Sequence, residues 1–404
     1  MSEEAKGGGR LLMGLIVAIV VIWGGFKIYG GSQELEGPLK IGAVVPLTGD
    51  GAAYGLPIQK AANIAVDEIN EAGGINGNNI ELIWEDGKCD GEPATTAAQK
   101  LINIDKVSFI VGGVCSSEAL AMAPLANPEK VLILSPSATS PDLNTEGGDY
   151  FFRLSPSDAL AGTIAANYAA NTLGAKKAAL IAENTDYAQG LGSVFEEGFK
   201  ASGGEIAVSE NFNTGETDFR TALLKVKEAG VDVLYLAPQT PAPGTQLARQ
   251  AQQLELNVPL LTGEVMIGRD VIAENAAALE GMVGFEAHFD SEGKGGEFLA
   301  KYTEVTGEEA PFPSFLANMY TSIYLIKEGV EAHGLDTDAI RSWLLELEGY
   351  DSAAGSLTFE ENGDRETDYA ALAAKAGKAE LLEVVSPKAA ENEDDDNDDE
   401  NDDE

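Results

Sequence analysis

Two polar turns carry the residues with the clearest chemical potential: Gly112-Gly113-Val114-Cys115-Ser116-Ser117 and Ser135-Pro136-Ser137-Ala138-Thr139. Each follows an apolar run, Val107 to Val111 and Val131 to Leu134, that reads as a buried strand. Between them Leu120, Met122, Ala123 and Leu125 fall at helical spacing. In a parallel sheet both turns emerge at the carboxyl ends of neighbouring strands, where open α/β sheets bind ligands. Serine hydroxyls and unpaired N–H groups at a helix start suit a carboxylate or another anion. Ser116 and Ser137 equally fit a plain helix-capping role. Residue type alone leaves both readings open.

The two cysteines and two histidines (His288, His333) are too few for an ordinary zinc site or for His-dependent nucleophilic catalysis. No metal or cofactor is implied. Cys89 follows the apolar segment Ile80 to Glu85, and Cys115 follows Val107 to Val111. Neighbouring strands would bring these turns together, and an exported protein could join them in a disulfide. Closing a loop of about 26 residues would contribute roughly 3.5 kcal/mol. The competing reading makes Cys115 a thiolate nucleophile at a helix start; the disulfide is preferred. Ile41-Gly42-Ala43-Val44-Val45-Pro46 has one glycine where a dinucleotide fingerprint needs three, and neither a phosphate-loop motif nor G-x-S-x-G occurs. Nucleotide enzymes and α/β hydrolases lose weight accordingly.

The elements that must position these turns alternate along the chain. Strand Lys40 to Pro46, a loop through Tyr54, helix Ile58 to Ala72, strand Ile80 to Glu85, helix Glu92 to Ile104 and strand Val107 to Val111 give the βα alternation of a parallel, doubly wound sheet. After Tyr150-Phe151-Phe152-Arg153 the pattern restarts. Helix Asp158 to Leu173 leads to strands Ala178 to Ala182, Glu205 to Glu210, Val231 to Leu236, Pro259 to Thr262 and Gly281 to Phe285. Helices Leu191 to Ser202, Thr217 to Ala229 and Thr245 to Leu254 alternate with them. Helices Gly296 to Thr306, Ser314 to Ala332 and Thr337 to Leu347 follow, then a strand-like Gly355 to Phe359. The 404 residues accommodate two lobes, each with its own core.

Net charge is −41, from 67 acidic and 26 basic residues; the tail Glu391 to Glu404 holds 11 of the acids, so the body alone carries about −30. Such a field repels nucleic acid and anionic lipid, whose binding depends on Lys and Arg neutralising phosphate. The acidity fits ordinary solubility of an exported protein, the preferred reading, or adaptation to high salt. The tail is expected to be disordered. Leu11 to Phe26 is uncharged over 16 residues, with Lys6 and Arg10 before it. That is short for a spanning helix and long for a signal peptide's apolar core. An uncleaved anchor that leaves the body outside is preferred to a cleaved signal, and both imply export.

Several motifs then fall in order: IGAVVPLTG (Ile41 to Gly49), GAAYG (Gly51 to Gly55), AVDEINEAGGING (Ala65 to Gly77), DGKCD (Asp86 to Asp90), GGVCSS (Gly112 to Ser117), SPSATSP (Ser135 to Pro141) and TDF (Thr217 to Phe219). Across about residues 38–386 the chain resembles the periplasmic Leu/Ile/Val-binding proteins of ABC transporters. The resemblance implies a type I periplasmic-binding fold of class α/β: two doubly wound parallel-sheet lobes joined by three crossovers, preceded here by an N-terminal hydrophobic helix. Lobe one is expected at 38–156 plus 288–364, and lobe two at 157–287 plus 365–386. They are flanked by a segment at 1–37 and the tail at 387–404.

It further implies no enzymatic activity. An amino acid would be held between the lobes and delivered to an ABC permease outside the cytoplasm. A sensory ligand-binding module is the alternative. Ser116, Ser137, Ala138 and Thr139 match the positions that hold the ligand carboxylate, and Glu264 in Thr262-Gly263-Glu264 matches the ammonium partner. Tyr54 and Tyr187 match the aromatic covers. Glu264 could also be an ordinary solvated acid, and either tyrosine a plain loop residue. One departure stands out: Pro238-Gln239-Thr240-Pro241-Ala242 replaces the family's tyrosine pair followed by Pro-Glu. This puts an aliphatic side-chain preference in doubt and admits polar amino acids or small amides.

Overall fold

The computed structural model describes residues 37–386. The apolar segment Leu11 to Phe26 and the acidic tail lie outside the described residues. Among the described residues no helix is long and apolar enough to cross a membrane.

The first half builds a parallel sheet from short strands, largely buried except for a half-buried edge strand. β1 (Leu39–Val45), α1 (Ala52–Glu71), β2 (Ile80–Asp86), α2 (Gly91–Lys100), β3 (Phe109–Gly112), α3 (Ser116–Ala126), β4 (Leu132–Ser135) and β5 (Phe151–Arg153) follow in order. The sheet order is β2-β1-β3-β4-β5, every pairing parallel. Gly112, at φ 129°, lets β3 turn against β1: a Cβ there would lie 2.0 Å from the Val44 carbonyl oxygen.

A second sheet takes α4 (Asp158–Asn167), β6 (Lys177–Glu183), α5 (Asp186–Ala201), β7 (Glu205–Phe212), α6 (Arg220–Ala229), β8 (Val233–Ala237), α7 (Pro241–Gln253), β9 (Leu260–Gly263) and β10 (Val283–Ala287). Helices α8 (Gly293–Thr306), α9 (Pro313–His333) and α10 (Thr337–Leu345) return to the first sheet, where α9 packs on α1, β3 and β4. The chain then closes with the small hairpin β11 (Tyr350–Ser352) and β12 (Gly355–Leu357), followed by β13 (Tyr369–Lys375) and β14 (Lys378–Val385).

The second sheet runs β14-β13-β10-β9-β8-β6-β7. Its β7 to β10 portion is parallel, but β13 and β14 are antiparallel, so this sheet is mixed rather than parallel throughout. The open edge of β10 recruits the hairpin, and the Ala-rich β13 buries Ala370 and Ala371 there.

Cys89 and Cys115 are joined in a disulfide with Cα atoms 5.1 Å apart, so Cys115 has no thiol to act as a nucleophile. The bridge ties the end of β2 to the start of α3. The buried Glu118 carboxylate braces it, accepting the N–H of Cys89 at 3.0 Å and of Cys115 at 3.1 Å. Reducing the bridge, or replacing both cysteines by serine, is expected to lower stability by about 3–4 kcal/mol. Thermal unfolding with and without reductant reads this directly, and an unchanged midpoint would contradict it.

Candidate functional site

The carboxyl ends of the two sheets converge on one small cavity of about 20 Å³. Its wall includes Tyr54, Val114, Ser116, Ser137, Tyr187, Gln239, Glu264, Val265 and Phe315. Five residues picked out from the sequence thus meet in one place: Ser116, Ser137, Tyr54, Tyr187 and Glu264.

Ser116 opens α3, and Ser137, in the turn after β4, is tied to the residues just before that helix. The Ser116 hydroxyl oxygen accepts the Ser140 N–H at 3.1 Å, leaving its proton to donate. Ser137 donates to the Val114 carbonyl at 2.8 Å, leaving its lone pairs. With the positive end of the α3 dipole, this shelf has the donors and field that suit an anion. Ala138 and Thr139 stand behind it rather than in the wall. The Ala138 N–H is held by Ser135 Oγ at 3.1 Å, and the Thr139 hydroxyl donates to Asp158 Oδ2 at 2.7 Å. Their contribution here is to fix the turn.

Glu264 faces the shelf from just beyond β9, where Gly263 leaves room for the Tyr187 hydroxyl. It is 9% exposed. Burial pushes its carboxyl up to about 7, against the opposing pull of its own N–H and the Tyr187 hydroxyl. That hydroxyl approaches the carboxylate without reaching hydrogen-bond geometry.

Asp158, which reads from sequence only as a helix-start acid, is buried nearby. Burial first and Glu264 second hold its carboxyl well above the usual range, and its Oδ1 has no partner. Glu286, half-buried on β10, is pushed up to about 8 by burial and by Glu264. Beyond burial, Glu264 and its acidic neighbours Glu183 and Asp158 also push up the phenols of Tyr54 and Tyr187. The second-sheet side of the cavity is crowded with acids that resist ionising together, and a cationic group such as an ammonium would relieve that repulsion.

Tyr54 closes the remaining side. It begins α1 where Gly55 allows the helix to touch β1's exit: a Cβ on Gly55 would stand 1.8 Å from the Pro46 oxygen. Its hydroxyl donates across to the Gln239 carbonyl at 3.1 Å, and its ring meets Phe312 edge-on at 4.9 Å. Gln239 and Phe315 complete the wall. Gln239 lies within the Pro238 to Ala242 departure, whereas Phe315 carries no sequence signal beyond the apolar face of its helix.

Two sheets whose carboxyl ends enclose an anion shelf opposite a buried acid, under aromatic covers, define a solute-binding architecture. The chain belongs to the periplasmic binding protein family, whose model matches residues 38–379.

Among curated relatives it is 29% identical over 360 residues to a Leucine-, isoleucine-, valine-, threonine-, and alanine-binding protein of Pseudomonas aeruginosa, covering 89% of this chain and 94% of the relative. It is 30% identical to a Leu/Ile/Val-binding protein of Rhizobium johnstonii, covering 81% of this chain and 88% of the relative. Among solved structures it is similar to the isoleucine-bound branched-chain amino acid transporter protein LivJ of Streptococcus pneumoniae, with 31% identity, TM-score 0.78, and coverage of 87% of this chain and 100% of that one. The leucine-binding protein LivK of Thermotoga maritima aligns with TM-score 0.80 at 26% identity, covering 87% of this chain and 99% of that one.

Proposed function

We propose that this protein captures a single amino acid between two lobes, outside the cytoplasm, and delivers it to an ABC permease without chemical change or cofactor. The observation that carries the reading is the pairing within one cavity of the Ser116 and Ser137 shelf with the buried Glu264 carboxylate. A zwitterion matches both ends at once. The relatives' amino-acid cargo supports the same ligand class.

Ser116, Ser137 and the turn held by Ala138 and Thr139 take the carboxylate, Glu264 takes the ammonium, and Tyr54 and Tyr187 cover the ligand. The lobes comprise 38–156 plus 288–364 and 157–287 plus 365–386. They are joined by three crossovers, near Ser157, His288 and Arg365, that flex as a hinge. Leu11 to Phe26 tethers the protein to the membrane, a step that fractionation of the full chain tests directly.

The experiment compares leucine with isoamylamine and isocaproate, and threonine with 1-amino-2-propanol and 3-hydroxybutyrate, each analogue keeping one end of the zwitterion. Binding of an amino acid without its analogues supports the reading; equal binding of either of its analogues would refute it.

The raised Glu264 carboxyl sets a pH dependence. A bound ammonium favours the ionised carboxylate, so binding below about pH 7 releases a proton. Affinity is expected to climb with pH, by up to about tenfold per unit, and to level off above pH 7. The ligand-free protein behaves oppositely. Between about pH 4.5 and 7 the folded state holds a proton that the unfolded state has lost, so stability falls as pH rises through that window. Titration calorimetry between pH 5 and 8 checks the first sign, and ligand-free thermal unfolding over the same range checks the second.

A further inference from the structure

Two polar atoms of the cavity wall lack hydrogen-bond partners: the Tyr187 hydroxyl and Gln239 Oε1. The first lies against the Glu264 carboxylate, where a ligand ammonium would engage it. The second has no task in holding either end of a zwitterion.

Gln239 is 8% exposed, and its backbone is fixed on both sides. Its N–H donates to Glu183 Oε2 at 2.8 Å, and its carbonyl accepts the Tyr54 hydroxyl at 3.1 Å. Glu183 is itself anchored by the Thr214 hydroxyl at 2.6 Å. Pro241 then opens α7 two residues later, stiffening the exit. Among the facing wall residues Val114, Val265 and Phe315 offer no side-chain polar atom. The Tyr54 proton is already given to the backbone of Gln239 itself.

We propose that Gln239 selects an amino acid whose short side chain carries a hydroxyl or a carboxamide, of the serine, threonine and asparagine class. The proposal rests on the amino-acid reading above and adds the side-chain chemistry. A donor from the ligand satisfies Oε1. If the amide stands in its flipped orientation, the same groups supply an acceptor instead, so the selection holds either way. An aliphatic side chain would seal the amide against methyl groups and leave a buried polar group unmet.

Ligand pairs of equal shape test this in protein freed of carried-over ligand by unfolding and refolding: threonine against valine, and asparagine against leucine. In each pair the polar member is expected to bind at least about tenfold more tightly. Gln239→Leu is expected to erase or invert that ratio. Its side chain makes no hydrogen bond that folding depends on, and the wild-type ratios alone test the selectivity if the variant misfolds.

Tighter binding of valine and leucine by wild type would overturn the proposal and leave the amino-acid reading standing. A polar preference that survives Gln239→Leu would overturn the assignment to Gln239. Absence of binding by every amino acid would overturn both.

Discussion

Glu264→Ala is expected to weaken amino-acid binding by at least about a hundredfold, while the ligand-free protein keeps its thermal midpoint or gains a few degrees. The loss follows from burial. An ammonium desolvated in the closed cavity has Glu264 as its direct counter-charge, and truncating one partner of a buried, hydrogen-bonded charge pair costs roughly 2–5 kcal/mol. The stability effect has the opposite sign because the site is costly when empty. Ionising a carboxyl whose burial holds it at about 7 destabilises the folded state at pH 8. Asp158 and Glu286 share that negative region, and removing Glu264 relieves them too. Calorimetry and thermal unfolding on the same sample separate the two effects. Near-wild-type affinity would show that Glu264 is not the ammonium partner.

The second large effect is structural. Arg153 at the end of β5 is fully buried, and its guanidinium grips Asp364 through two bonds of 2.6 and 2.7 Å. It also donates to the Ser140 carbonyl at 2.9 Å and reaches Asn144. Asp364 lies in the segment that carries the chain back to β13, so the pair fastens a late stretch of sequence to the first sheet.

Asp364→Ala leaves a buried cation without its counter-charge, and stability is expected to fall by about 3–5 kcal/mol. Because Arg153 steadies Ser140, whose N–H rests on the Ser116 hydroxyl, ligand affinity is expected to weaken as well. Urea unfolding of Asp364→Ala beside wild type reads the first effect. A midpoint within experimental error of wild type would contradict it.

The strands were the most legible part of the fold. Buried parallel strands read as unbroken apolar runs, and β1, β3, β4, β8 and β9 lie where such runs stand. The hairpin β13 and β14 was not legible. Tyr369–Lys375 is rich in alanine and has no β-branched residue, so local propensity is silent and the open edge of β10 decides.

The two aromatic covers show a subtler difference. Gly55 and Pro57 made Tyr54 read as a loop residue, yet α1 starts at Ala52 and runs through both. Tyr187 likewise sits in the first turn of α5, capped by the Thr185 hydroxyl. That threonine followed by an acid was a readable start signal, which Gly190 and Gly192 obscured.

For the site, Ser116, Ser137 and Glu264 could be named from motif order. Asp158 could not. Its proximity to Glu264 depends on how the connection after β5 meets the end of the second sheet, and no local spacing encodes that.

The most direct test of capture between two lobes is a calorimetric titration of the refolded, ligand-free protein with each of the twenty amino acids. One-to-one binding of one or a few amino acids, lost in both Glu264→Ala and Ser116→Ala, is the predicted result. Absence of binding by all twenty, or binding that survives both substitutions, would contradict the assignment of this cavity as an amino-acid site.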